Sequence, residues 1–195
     1  MFRIAAIAAL LSLLAGCMEA RVNPATSRAQ DLPDFTGTYD MVMGADFEET
    51  MDKPGVEATT TLTREGNHYI LRVESKDGSG PPARNEILYV AGPPDQMILA
   101  YAKQANLDRV GIFAARALEN GTLEVLMTSG STKDPAPQTV IDALSRLGYA
   151  ATRHAFTLEL LGSDDLAKLR VALWDPALVA AYEPKVLFRL TPVPD

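Results

Sequence analysis

Residues 86–102 read Glu-Ile-Leu-Tyr-Val-Ala-Gly-Pro-Pro-Asp-Gln-Met-Ile-Leu-Ala-Tyr-Ala and contain two short apolar runs separated by a turn. The runs Ile87–Val90 and Met97–Tyr101 have the length of β-strands, and Gly92-Pro93-Pro94-Asp95 predicts the turn of a hairpin between them. A half-exposed strand alternates apolar and polar residues, whereas these runs are apolar at every position. This stretch therefore predicts a sheet that is covered on both faces.

Patterns on either side of this hairpin extend it to an antiparallel meander of about seven strands. Arg64-Glu65-Gly66-Asn67 predicts one further turn, and Glu119-Asn120-Gly121-Thr122 predicts another, because Asn-Gly is a strong hairpin signal. The predicted strands are Phe35–Met43, Val56–Leu62, His68–Glu74, Glu86–Val90, Met97–Ala102, Val110–Leu118 and Leu123–Thr128.

The C-terminal third predicts helices that could cover one face of this sheet. One helix carries apolar residues at helical spacing and ends near Gly148; a second starts at Ser163. Residues 155–161 and 185–191 predict strands. The fold class we expect is α+β, with a meander followed by helix, strand, helix and strand, the sheet forming a half-open or closed barrel. The apolar helix positions are Val140, Ile141, Leu144, Leu147, Leu166, Leu169 and Leu173.

The first 16 residues have the layout of an export signal. Arg3 precedes the uninterrupted apolar run Ile4–Leu11, and small residues follow at Ala15 and Gly16. The run is too short to cross the hydrocarbon core as a helix, which takes about 20 apolar residues. We therefore expect residues 1–16 to be removed from the mature protein.

Leu14-Ala15-Gly16-Cys17 resembles the lipobox of bacterial lipoproteins. The resemblance implies cleavage before Cys17, acylation of this cysteine and anchoring to a membrane by the acyl chains. More than one acyl chain gives lasting attachment, since each buried methylene contributes about 0.8 kcal/mol. Met18 follows the cysteine in place of the aspartate that retains such proteins at the inner membrane. The resemblance thus implies the outer membrane, with the folded part facing the periplasm.

Composition limits the class of protein. Residues 17–34 contain few large apolar residues and predict a lipidated tether, which leaves residues 35–195 as a single domain. Removal of residues 1–16 takes one cation, Arg3, and changes the net charge from −7 to −8. An acidic chain argues against nucleic acid as a partner.

Cys17 is the only cysteine, so a disulfide within the chain and a further thiolate site are excluded.

The sequence contains no pattern that predicts a catalytic or metal site. His68 and His154 are the only histidines and lie far apart, whereas a metal site needs several converging ligands. No Gly-x-Ser-x-Gly elbow supports a serine hydrolase. A hydrolase would need one of these histidines beside a serine and a carboxylate in one cleft. We therefore predict a protein without a catalytic residue, a metal or a cofactor.

Phe35-Thr36-Gly37-Thr38-Tyr39 is similar to the Gly-x-Trp opening of lipocalins, with Tyr39 at the tryptophan position. The resemblance implies a barrel of eight up-and-down strands around an apolar ligand. It also implies that Arg189 packs on the ring of Tyr39. Two helices and a late strand depart from the lipocalin order, so a more open sheet wrapped on a helix, as in periplasmic lipoprotein carriers, suits the pattern equally well.

Two functions remain as expectations for this chain. The first is a non-enzymatic interaction or envelope-maintenance module that binds a protein partner in the envelope. The second is a carrier of a small apolar ligand or lipid, and it requires a void inside the sheet. The apolar residues expected to line such a void are Tyr69, Leu71, Tyr89, Leu99, Tyr101 and Phe113.

Overall fold

The computed structural model describes residues 18–20, 34–44, 58–76, 85–102, 110–126, 128, 137–154, 158–161 and 166–194. In these residues the strands are β1 Met18–Ala20, β2 Gly37–Met43, β3 Ala58–Glu65, β4 His68–Ser75, β5 Asn85–Ala91, β6 Met97–Ala102, β7 Val110–Ala117, β8 Leu123–Leu126, β9 Ala150–Arg153, β10 Leu158–Leu161 and β11 Val186–Pro192. The helices are α1 Gln138–Arg146, α2 Leu166–Leu173 and α3 Pro176–Tyr182.

A closed barrel of eight antiparallel strands forms the centre of the fold. Strands β2 to β8 follow one another as the predicted seven-strand meander, and β6 pairs with β7 in sequence. The last strand, β11, fills the gap between β8 and β2, where Leu190 is in register with Met41 on one side and with Leu123 on the other. The predicted α+β fold is confirmed, and the sheet is closed.

The barrel core is the apolar interior of this barrel. Side chains point alternately in and out along a strand, so Leu88 and Val90 of β5 face inward while Tyr89 faces outward. On β3 the inward residues are Ala58, Thr60 and Leu62, and the threonines between them are only partly buried. The barrel core includes Phe35, Tyr39, Met41, Leu62, Tyr69, Leu71, Leu88, Met97, Leu99, Tyr101, Phe113, Ala115, Val125 and Leu190.

The helix-side core is a second apolar cluster, between the outer face of β5, β6 and β7 and the helices. It explains why the runs Ile87–Val90 and Met97–Tyr101 are apolar at every position: each strand has a core on both faces, as predicted. Its members from β5, β6 and β7 are Tyr89, Ile98, Ala100, Ala102, Val110 and Ile112; those from β1 and β10 are Met18, Ala20, Leu158 and Leu160; those from the helices are Val140, Ala143, Leu144, Leu166, Leu169, Leu173, Leu178 and Tyr182.

Local signals position the helices on the barrel. Helix α1 ends where predicted, because Gly148 takes a φ of +85°, a conformation that glycine accepts without strain. The indole Nε1 of Trp174, just after α2, donates a hydrogen bond to the carbonyl of Met97 over 2.9 Å. Gly92 in the β5–β6 turn has a φ of +104° and lies under the side chain of Arg170 from α2. Helix α2 is therefore attached at the turn between β5 and β6.

Strand β1 lies inside the segment for which a tether was predicted. Met18 and Ala20 are fully buried, and β1 pairs in parallel with β10 and antiparallel with β7. The chain is therefore part of the sheet at these three residues, which differs from the tether prediction. Three residues with one charge carry no strand pattern, so sequence reasoning missed them. The signal segment, Cys17 and residues 21–33 lie outside the described residues.

The C-terminal third contains two elements that the sequence analysis missed. Strand β9 pairs with β10 as a short hairpin, and α3 follows α2 after a two-residue break. Helix α3 begins with Pro176, and the side chain of Asp175 accepts a hydrogen bond from the Ala177 amide, a helix start with a recognisable sequence signature. Ser163 and residues 155–157 lie outside the described residues. None of the described helices has the length and hydropathy needed to cross a membrane.

Candidate functional site

A cavity of about 40 Å³ lies inside the barrel, and its surface is entirely apolar. It is lined from several strands by residues that include Met41, Leu62, Leu99 and Val125. Eight strands enclose a space that is just wide enough for side chains to fill or for one small ligand. The cavity therefore arises because the inward side chains stop short of filling this barrel.

Phe35 closes one end of the barrel. It precedes β2, and its amide donates to the hydroxyl of Tyr69 over 3.2 Å, while its carbonyl accepts from the hydroxyl of Tyr39 over 2.9 Å. The ring centroids of Phe35 and Tyr69 are 6.3 Å apart in a tilted arrangement. Burial, together with neighbouring Tyr69 and Asp34, raises the pKa of Tyr39, which keeps this hydroxyl protonated as a donor. We call this the Phe35 end.

Five of the six residues that the sequence analysis expected to line a void do line the cavity. They are Tyr69, Leu71, Leu99, Tyr101 and Phe113. Tyr89 does not, and this part of the prediction is wrong. Its neighbours Leu88 and Val90 face inward, so strand alternation turns Tyr89 outward into the helix-side core, where its ring centroid lies 5.5 Å from that of His68.

Two polar side chains in the barrel interior, Thr60 and Glu86, were not predicted from the sequence. Thr60 lines the cavity through its apolar atoms only and is fully buried, and its hydroxyl has no hydrogen-bond partner in the part of the chain that the structure describes. Glu86 is 8% exposed and has the inward alternation of Leu88 and Val90. Both occupy inward positions of otherwise apolar strands, and this break in the apolar pattern was the signal that could have identified them.

Glu86 lies at the barrel end opposite Phe35. Strand β5 begins at Asn85 there, and β3 begins at Ala58 at the same end, so Thr60 and Glu86 are both in this half of the barrel. We call this the Glu86 end. Among the described residues no ion pair or hydrogen bond of the Glu86 carboxylate is found.

The sheet continues beyond the barrel at the Glu86 end. Glu19 of β1 is in register with Gly111 of β7 and with Glu159 of β10. The residues on either side of Glu19 and Glu159 are buried in the helix-side core, so the two carboxylates project from the opposite face. Gly111 lies two residues before Phe113 on β7, so both are on the inward face of that strand. Glu19 and Glu159 are therefore on the face that continues the barrel interior.

The two histidines lie in different parts of the fold. His154 is 3.1 Å from Glu159 and half-exposed, whereas His68 is hydrogen-bonded to Asn67. Within the described residues neither ring is hydrogen-bonded to a serine, and no group of three His, Cys, Asp or Glu side chains is arranged to hold a metal ion. Among the described residues, therefore, neither histidine has the serine and carboxylate neighbours that the hydrolase alternative requires.

Arg189 does not pack on Tyr39, which corrects the expectation drawn from the lipocalin resemblance. Its Nε donates to Glu124 over 2.8 Å, and Arg116 binds the other carboxylate oxygen of Glu124 over 2.7 Å. Tyr39 faces the barrel core, whereas this cluster is on the outside of the barrel, since Arg189 has the opposite alternation to Leu190. Burial opposes ionisation of Glu124, but the two arginines outweigh it and lower its pKa.

Comparison of this chain with protein-family models, with curated proteins and with solved structures finds no match.

Proposed function

We propose that this protein is a lipid-anchored component of the bacterial outer membrane whose barrel binds a small apolar ligand in the periplasm. The observation that carries the binding function is the apolar cavity enclosed by the eight-strand barrel. The lipobox-like Leu14-Ala15-Gly16-Cys17 supports the anchor. No residue has a catalytic role in this proposal.

The size of the cavity limits the ligand. A volume of about 40 Å³ is smaller than the roughly 150 Å³ of an apolar cavity that holds benzene, and far below the about 300–1,000 Å³ of pockets for larger ligands. A slender alkyl segment needs less width than a ring system, but it also exceeds this volume and enters only if lining side chains move. Met41 and Met97 line the cavity, and their unbranched side chains adapt to an entering ligand with little strain.

The small volume also favours a second candidate function. A barrel that is nearly filled could present its outer surface to a protein partner, as expected of an interaction or envelope-maintenance module. The carrier is preferred because a void inside the barrel has no use in such a module, and removing it would stabilise the fold.

Ligand binding is tested with 1-hexanol, a slender probe. The exported Cys17→Ser chain, which carries no acyl group and needs no detergent, is titrated while methyl resonances are followed by NMR. We expect saturable shifts of Leu99 and Val125, which line the cavity. In Ala115→Leu, a larger side chain enters the cavity, and we expect binding to weaken by about tenfold or more while the melting temperature stays equal or rises. Absence of binding to the parent chain would favour the interaction module.

The anchor is tested separately by intact-mass analysis of membrane fractions. We expect wild type to start at Cys17, to carry the mass of acyl chains and to sediment with the outer membrane. Cys17→Ser should lose both the added mass and the membrane association. An unmodified wild-type protein in the soluble fraction would contradict the anchor without affecting the ligand-binding test.

A further inference from the structure

We propose that the folded body, the barrel with its helix layer, lies directly against the membrane without a polypeptide tether, and that the edge where β1 begins faces the bilayer. The partner of this edge is a lipid surface. The inference rests on the proposed acyl anchor at Cys17 and specifies how that anchor holds the body.

The first observation is that β1 is an integral strand of the sheet. Met18 and Ala20 are fully buried in the helix-side core, and Met18 is among the largest side chains that are completely enclosed. β1 pairs with β7 on one side and with β10 on the other. Within the described sheet, β10 and β9 join the barrel only through β1. Withdrawing β1 into a tether would therefore break two ladders, expose Met18 to water and detach β9 and β10 from the barrel.

The second observation is the length of chain between the anchor and the body. Consecutive Cα atoms are about 3.8 Å apart, so one peptide unit separates the buried Met18 from Cys17, which carries the acyl chains in the proposed anchor. A flexible tether of residues 18–34 would instead allow a separation of roughly 20–25 Å. Residues 21–33 do not lengthen the connection, because the body holds the chain on both sides of them, at Ala20 in β1 and at Phe35 at the barrel end. The acyl chains thus leave the protein at the body itself.

The register of the strands identifies the surface that this short connection brings to the bilayer. Met18 is in register with Leu158 of β10, and Leu158 is in register with Arg153 of β9. These three residues form one end of the strands β1, β10 and β9, which we call the exit edge, and Arg153 is exposed there. On the other side of the barrel, β3 is four strands away from β7 in either direction. The outer face of β3 is therefore expected to lie away from the bilayer.

Single thiols test this arrangement, because acylation consumes the only native thiol. Arg153→Cys places a thiol at the exit edge, and Thr63→Cys places a matched thiol at an exposed position of β3. Each full-length acylated chain is labelled with bimane and reconstituted in phosphatidylcholine vesicles that contain lipid with a spin-labelled headgroup, a short-range quencher. We expect quenching to be at least about threefold stronger at position 153 than at position 63. Equal quenching at the two positions would overturn the inference while the anchor stands.

A spacer then assigns the proximity to the missing tether. A Gly-Ser insert of about 20 residues between Cys17 and Met18 has a root-mean-square span of roughly 25 Å, and we expect it to lower quenching at position 153 about threefold. The same insert between Asn120 and Gly121, in an exposed turn, should leave that quenching unchanged. Quenching that survives the insert after Cys17 would overturn the inference. Chains that lack the acyl mass and do not float with the vesicles would contradict the proposed anchor itself. The comparison of positions 153 and 63 tests the inference even if an insertion variant fails to fold.

Discussion

The barrel core and the helix-side core are built from the same kinds of side chain and share three strands, yet they are sealed to different degrees. Ile98, Leu144 and Leu173 in the helix-side core are 0% exposed, whereas Leu71, Leu88 and Leu99 in the barrel core keep 7–8% of their surface accessible. Two packed layers can approach each other until their side chains interdigitate and little space remains between them. The diameter of a barrel is instead fixed by its eight strands, so its inward side chains must fill a space of set width. The helix-side core is thus the more tightly sealed of the two, and the barrel core keeps a space inside it.

Truncation of one leucine in each core tests this difference most strongly. Leu173→Ala in the helix-side core should lower the free energy of unfolding by about 3–5 kcal/mol, because it opens a cavity in a sealed layer. Leu99→Ala should lower it by about 2–3 kcal/mol, since its side chain already borders the void and has fewer neighbours to lose. Denaturant titrations measure the free energy of unfolding of both variants, and equal slopes show that the two values can be compared directly. The reverse order would contradict the contrast between the cores.

Glu124 on the outside of the barrel offers a change that affects neither core. Its side chain is 5% exposed and joins Arg116 to Arg189, both of which are half-exposed. Glu124→Gln should lower the free energy of unfolding at neutral pH by about 1–3 kcal/mol, because both charge-assisted hydrogen bonds are weakened. The affinity for 1-hexanol should not change, since the cluster is outside the cavity.

The effect of Glu124 should depend on pH. Its pKa is lower in the folded protein than its ordinary value of 4.5, because the two arginines outweigh its burial. A lowered folded pKa gives stability that is present above the ordinary value and is lost as the pH falls through the folded pKa. The difference between wild type and Glu124→Gln should therefore shrink below about pH 4.5. A difference that stays constant down to the acid transition would contradict the role assigned to the arginines.

Asp175 tests whether the helix layer can be loosened without altering the barrel. Its side chain caps α3 by accepting from the Ala177 amide over 2.9 Å. Asp175→Ala should lower the free energy of unfolding by about 1 kcal/mol, and Asp175→Asn, which keeps a capping oxygen, should cost much less. Thermal melts measure the two variants. Equal melting temperatures for them would show that the cap contributes nothing.

Most of the fold follows from periodicity and turns, and its departures have physical causes. The meander and the two-sided cover of residues 86–102 were predictable because each strand carries its own pattern and each turn its own residues. The sequence did not predict whether β11 closes the sheet into a barrel. Its partners β2 and β8 are distant in sequence, and no single segment carries a pattern for such pairing. β1 was missed because its burial comes from β7 and β10, far away in sequence. Helix α3 was missed although Asp175-Pro176 carries a helix-start signature.

The candidate site was predictable only where strand phase was clear. Five of the expected lining residues border the cavity, whereas Tyr89 was assigned to the wrong face because its strand is apolar on both. Alternation alone does not show which face of such a strand points inward. Glu86 does not help, because a charged residue ordinarily marks the solvent face, whereas Glu86 has the inward alternation of Leu88. Thr60 was overlooked because a threonine-rich strand is ordinary in an antiparallel sheet.

Xenon binding compares the two cores in one measurement, because xenon enters empty apolar cavities and leaves sealed packing unaffected. Methyl spectra of the Cys17→Ser chain are recorded with increasing xenon pressure. We expect saturable shifts at Leu99 and Val125, which line the barrel cavity, and none at Leu144 and Leu173 in the helix-side core. Shifts at Leu144 and Leu173 without shifts in the barrel, or no shifts at either core, would contradict a ligand-accessible space inside this barrel.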